Sequence, residues 1–119
     1  IGNTLAASLL AEIGDINRFD APEKLAAFAG IDPSVKQSGE FNGTKCHMSK
    51  RGSPYLRKTF WLAAVAGIKF NPAFRALYDK KRAQGKAHNV ALSVVMRKIC
   101  NIVYVILKTN KPYRIVLPN

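Results

Sequence analysis

The stretch from His88 or Asn89 to about Lys108 limits the fold more than any other part of the chain. Val90, Ala91, Val94, Val95, Ile99, Ile102, Val103 and Ile106 recur at helical spacing and give one long helix a wide apolar face. A face that broad has to be covered by other helices. Ser93, Arg97, Asn101, Tyr104 and Lys108 recur on the opposite side as a polar stripe with two cations. The run "ICNIVYVIL" inside this helix is interrupted by Asn101 and is too short to span a bilayer, so a membrane is not an expected partner.

The covering helices are marked by their start and stop residues. "NTLAASLLAEIGD" offers Asn3 or Thr4 as a cap, Leu5, Leu9, Leu10 and Ile13 at helical spacing, and Gly14 as a stop. Asp20 is a candidate cap for a second short helix, with Pro22 just inside its start and Gly30 at its end. Two short helices joined by a glycine turn form a helix-turn-helix or helix-hairpin-helix type unit. The backbone amides at Ile13-Gly14-Asp15 are candidates for holding a phosphate, and two helices that merely pack on the rest are an equal reading. Ser53-Pro54 starts a third helix through Leu56, Phe60, Ala63, Ala64 and Gly67. Asn71-Pro72 starts another that runs to Gly85 with Lys80, Lys81 and Arg82 in its last turns.

The fold expected is mainly α: a compact helical domain with a helix-hairpin-helix-like N-terminal part and a short loop or β-hairpin insertion. At 119 residues the chain fits one domain. Residues 1–30 form the hairpin-like part, 31–52 a loop, 53–108 the helical core and 109–119 a tail marked by Pro112 and Pro118. Within the loop, Asn42-Gly43 is a two-residue turn signal around which residues 35–37 and 44–47 are candidate strands.

Charge narrows the partner class. The net charge is +12, and it is one-sided: residues 1–40 hold six acids and three bases, whereas residues 41–119 hold 16 Lys or Arg and the single acid Asp79. A merely soluble surface does not need that asymmetry, and a polyanion-binding surface does. Cys46 and Cys100 lie far apart with no metal-ligand spacing, so reduced thiols and no metal site are expected. The chain opens on a mixed "IGNTLAASLLAEIGD" rather than a basic then apolar leader, which predicts a cytoplasmic protein, and the abrupt start suggests a piece of something longer.

The loop concentrates the chemistry. In "SKRG", Lys50 and Arg51 stand beside a glycine turn and just before a helix start, where amides, a hydroxyl and two charges can converge on one phosphate; an ordinary solvated turn is an equal reading. Lys36 and Lys45 add cations within the loop, and Arg57 and Lys58 follow on the first turns of the next helix. Ser38, in "QSG", sits at a sharp bend. A serine becomes a nucleophile only with a base or metal to deprotonate it and cations to stabilise the transition state, and no base is evident here. His47 and His88 each stand alone. With no carboxylate pair and no Walker loop, a self-contained hydrolase is not expected.

"LLAEIGD…RF", "LAAFAGIDP", "QSG" and "SKRGSPYLRK", in this order and spacing, resemble the C-terminal domain of bacterial insertion-sequence transposases related to the Piv-type DNA invertases, several of which are guided by a bridge RNA. In that family an N-terminal RuvC-like domain supplies an acidic, magnesium-binding tetrad, and the C-terminal domain supplies a serine that becomes linked to DNA. The resemblance implies that Ser38 is that serine, with Lys36, Lys45, Lys50, Arg51, Arg57 and Lys58 as nucleic-acid contacts. It implies no cofactor in this stretch, since the tetrad is not in it, and magnesium on the RuvC-like domain. The implied partners are DNA, a guide RNA, the RuvC-like domain of the same protein and, in the full-length protein, further copies of itself near the nucleoid. This stretch alone is expected to bind nucleic acid without recombining it. The alternatives are a non-catalytic helix-hairpin-helix binding module, in which Ser38 only shapes a turn, and a basic helical protein-interaction domain.

Overall fold

Helix starts in this chain are set by local chemistry, most visibly by proline. The computed structural model describes residues 3–31 and 53–110, and every regular element there is helical. They are α1 (Asn3–Ile13), a 3-10 turn (Ile16–Arg18), α2 (Pro22–Ala29), α3 (Pro54–Phe70), α4 (Pro72–Ala83) and α5 (His88–Thr109). The mainly α expectation therefore holds. The candidate strands at 35–37 and 44–47 and most of the tail lie outside the described residues.

Proline opens α2, α3 and α4, and it suits a first helical position because its missing N–H is unpaired there anyway. Ser53 caps α3, its Oγ accepting from the Leu56 amide at 3.0 Å. Asn71 ends α3 and starts α4 in one residue. Its amide donates to the Gly67 carbonyl at 2.8 Å, while its Oδ1 accepts from Ala73 and Phe74 at 2.9 and 3.3 Å. At α2 the expected Asp20 cap gives way to Ala21, which makes no side-chain cap bond; the fixed φ of Pro22 is what opens this helix. Gly30 closes α2 at φ 74, a left-handed conformation with little cost only for glycine.

The long helix is indeed the centre: α2, α3, α4 and the 3-10 turn pack on α5, while α1 packs on α3. Its buried side is rotated from the expected one. Ala91, Leu92, Val95, Met96, Ile99, Cys100 and Tyr104 are buried, whereas Val90 is 42% exposed. Tyr104, expected in the polar stripe, is covered because the 3-10 turn and α2 land on that side. Its hydroxyl donates to the Phe19 carbonyl at 3.0 Å, which satisfies both groups in the interior. By length and composition the whole helix of 22 residues is apolar enough to cross a bilayer, so counting only the nine-residue run made it too short. In this fold part of that apolar surface meets other helices, and Val90 and Val105 stay exposed. Leu25, Leu56, Phe60, Leu92 and Val95 are almost fully buried where α2, α3 and α5 meet.

Candidate nucleic-acid interface

The last turn of α2 and the first turn of α3 are tied together around Ser53. Ile31 donates its amide to the Ala26 carbonyl at 3.0 Å, and Ser53 donates its own to the Phe28 carbonyl at 2.7 Å. Ile31 and Ser53, the described residues on either side of 32–52, therefore both lie at the same end of α2. Ser53 is only 6% exposed, and its Oγ donates to Glu12 Oε1 at 2.7 Å while capping α3. One serine thus joins α1, α2 and α3.

Beside this junction lies a cleft of about 320 Å³ lined by Ala29, Gly30, Ser53 and Pro54, with the exposed side chains of Arg57, Lys58 and Trp61 as its rim. The rim residues are i, i+1 and i+4 on α3, so they share one side of the helix. Arg57 lays its aliphatic stem along Gly30, whose missing Cβ would sit 3.7 Å from Arg57 Cδ. Both cations are exposed, and among the described residues neither has an acidic partner. Trp61 is 43% exposed, and Tyr55, six residues earlier, is 74% exposed. Cations beside exposed aromatic rings can take phosphates and bases at once.

Of the residues expected to act, Arg57 and Lys58 are brought together here. Ser38, Lys36, Lys45, Lys50 and Arg51 lie outside the described residues, as do His47 and Cys46. Sequence reasoning missed Trp61 and saw Ser53 only as a cap. An aromatic four residues after Arg57, on the cationic side of an amphipathic helix, was the available signal for Trp61.

Several other cations are held within the fold. Arg18 stacks over the Phe19 and Phe28 rings at 4.8 Å each, Arg75 pairs with Asp79 at 3.2 Å, and Arg82 donates to the Lys86 carbonyl at 2.9 Å. His88 is not isolated, since its Nδ1 is hydrogen-bonded to the Tyr78 hydroxyl at 2.7 Å. The Gly14 turn is a poor phosphate holder. Its amides at Gly14, Asn17 and Arg18 bond to Leu10 O, Asp15 Oδ1 and Asp15 O, and the Asp15 carboxylate would repel an anion. Cys100 is buried, and that burial pushes its thiol up to about 12, against a weaker opposing pull from the Arg97 charge. Among the described residues no His, Cys, Asp and Glu side chains are grouped to hold a metal ion, so these residues do not fit magnesium.

Residues 1–79 match the model of the transposase IS116/IS110/IS902 family. The chain is similar to the insertion element IS110 uncharacterized 43.6 kDa protein of Streptomyces coelicolor, at 33% identity over 99% of this chain and 29% of that protein. It is similar to the IS900 42 kDa protein of Mycobacterium paratuberculosis, at 31% identity over 94% of this chain and 28% of that protein. The pilin gene-inverting protein of Moraxella bovis is 30% identical over 95% of this chain and 35% of that protein. The chain thus spans roughly a third of the length of these relatives. Since the matched residues make up most of the chain and include α1, α2, α3 and the whole lining of the cleft, this chain belongs to the transposase IS116/IS110/IS902 family.

Proposed function

We propose that this chain is the nucleic-acid-binding, serine-bearing C-terminal part of a transposase or site-specific recombinase that acts in DNA transposition. One observation carries the reading beyond family membership. The segment that contains Ser38 departs after Gly30-Ile31 and returns at Ser53, and both ends adjoin the rim formed by Arg57 and Lys58. These ends beside two cations support the reading in which Ser38 acts on a phosphate bound there.

In this reading Arg57 and Lys58, with Lys36, Lys45, Lys50 and Arg51, neutralise the DNA backbone and position it. Ser38 Oγ attacks the scissile phosphorus, an Oγ–P bond forms, and the bond to the leaving sugar oxygen breaks. The serine proton passes to a base outside this chain. Magnesium, carried by an RuvC-like domain, would favour that deprotonation. A guide RNA offers the same rim the same phosphates, and the assembly works in the cytoplasm near the nucleoid.

The test has two parts. In a protein that also carries the RuvC-like domain, Ser38→Ala should abolish the covalent protein–DNA adduct on a denaturing gel while leaving affinity intact. An unchanged adduct yield sinks the nucleophile and favours the non-catalytic module. Separately, the double variant Arg57→Ala, Lys58→Ala should lower the slope of log K against log salt by roughly 1 to 2, about one for each phosphate no longer neutralised. An unchanged slope removes this rim from the interface.

A further inference from the structure

The cations of the rim account for binding a phosphate backbone, and they leave Trp61 unexplained. A tryptophan needs no exposure to stabilise a helix bundle; this one keeps 43% of its surface in solvent at the edge of a cleft, within one turn of two cations. We propose that the cleft between the end of α2 and the start of α3 binds an unpaired nucleotide, whose base stacks on Trp61 while its flanking phosphates lie against Arg57 and Lys58. The inference rests on the nucleic-acid reading above and narrows it from a polyanion to single-stranded nucleic acid.

Three features point the same way. The cleft, at about 320 Å³, falls within the ~300–1,000 Å³ span of small-ligand clefts, so it has room for a base. Its lining beside the rim is made of compact residues, Ala29, Gly30, Ser53 and Pro54, which leaves space for a flat ring next to Trp61. Gly30 is held in the left-handed region at φ 74 with the Arg57 stem against it, which keeps both the lining low there and the guanidinium at the rim. A duplex satisfies the cations alone, because its bases are stacked on each other and cannot reach the ring. An unpaired strand satisfies the cations and the ring together. Stacking reads the face of the base, so deoxyribose and ribose strands share this chemistry.

Trp61 is the single tryptophan of the chain, so its fluorescence reports the site directly. Titrating the 119-residue chain with oligo(dT) should quench that emission, and a DNA duplex of equal length should quench it much less. Trp61→Ala should weaken oligo(dT) binding, followed by anisotropy of a labelled strand, by about 5- to 150-fold, the loss expected for one stacked base. Duplex affinity should stay within about twofold, and Trp61→Phe should restore most of the lost affinity. Oligo(rU) run in parallel decides which sugar is preferred. Trp61→Ala weakening both ligands equally, or neither, overturns the inference, and the salt-sensitive duplex binding then still supports the broader reading. If neither ligand binds with a salt dependence, both fall. Matching circular dichroism melts for Trp61→Ala and Trp61→Phe exclude misfolding, and a Trp61→Ala chain that does not fold leaves the Phe variant and the quenching contrast to decide.

Discussion

Ser53→Ala isolates the contact that holds the cleft together. The hydroxyl caps α3 through the Leu56 amide at 3.0 Å and donates to Glu12 at 2.7 Å, in a site only 6% exposed. Loss of a serine cap costs about 1 kcal/mol. The bond to a carboxylate is of the stronger charge-assisted kind, but Glu12 is half-buried and water can replace part of it, which leaves roughly 1 kcal/mol more. The expected destabilisation is therefore ~2 kcal/mol, or a fall in melting temperature of about 8 °C for a chain of this size. Urea unfolding followed by circular dichroism measures it, and a double-mutant cycle with Glu12→Ala should return a coupling of about 1 kcal/mol. Amide exchange at Leu56 should accelerate more than at Val95, because the lost bond first frees the start of α3. A loss below ~0.5 kcal/mol, or no coupling to Glu12, would refute the claim that Ser53 joins α1 to α3.

Two further predictions concern the core. Gly67→Ala places a methyl 2.8 Å from Phe74 Cδ2, a buried ring, so overpacking of ~1–3 kcal/mol should outweigh the ~0.5–1 kcal/mol gained in helix propensity; a more stable variant in urea would refute it. The Cys100 thiol, pushed up to about 12 by burial, should resist a thiol-specific reagent at pH 8 until the protein unfolds. Its sign in stability follows: the folded state keeps a proton that the unfolded state releases from about 9, so stability is full below that pH and declines from about 9 to about 12. Cys100→Ala should remove that part of the alkaline decline, and an identical pH profile would count against it.

Helix starts were legible because they depend on neighbours in sequence. Ser53-Pro54 and Asn71-Pro72 behave as their residues require, since a cap and a fixed φ need nothing from elsewhere in the chain. The buried side of α5 was not legible in the same way. Apolar residues occur on more than one side of that helix, and which side is covered depends on where α2 and the 3-10 turn land. Tyr104 shows why: a ring with a hydroxyl suits a polar stripe and a core equally, and only the Phe19 carbonyl facing it decides. At the cleft, charge singled out Arg57 and Lys58 before their shared place on its rim was known. Trp61 was passed over because an aromatic within an apolar helix reads as core until its exposure is known, and its spacing from Arg57 was the one cue against that.

The distribution of charge in space adds a direction to the interface. Glu12, Asp15, Asp20 and Glu23 outnumber Arg18 and Lys24 along α1, the 3-10 turn and α2, whereas α3, α4 and α5 carry Asp79 as their one acid. Under the proposed function, a polyanion would be repelled from the first group and attracted to the second, which would orient its approach before any contact forms. Of the acids in the first group, Glu12 is tied to the junction through its bond to Ser53, so its carboxylate is engaged there and forms no ion pair with Arg57 or Lys58. Among the described residues no acid is therefore paired with either cation. Ser53 thus both caps α3 and lines the cleft, so the residue that opens the helical core also lies at the edge of the proposed site.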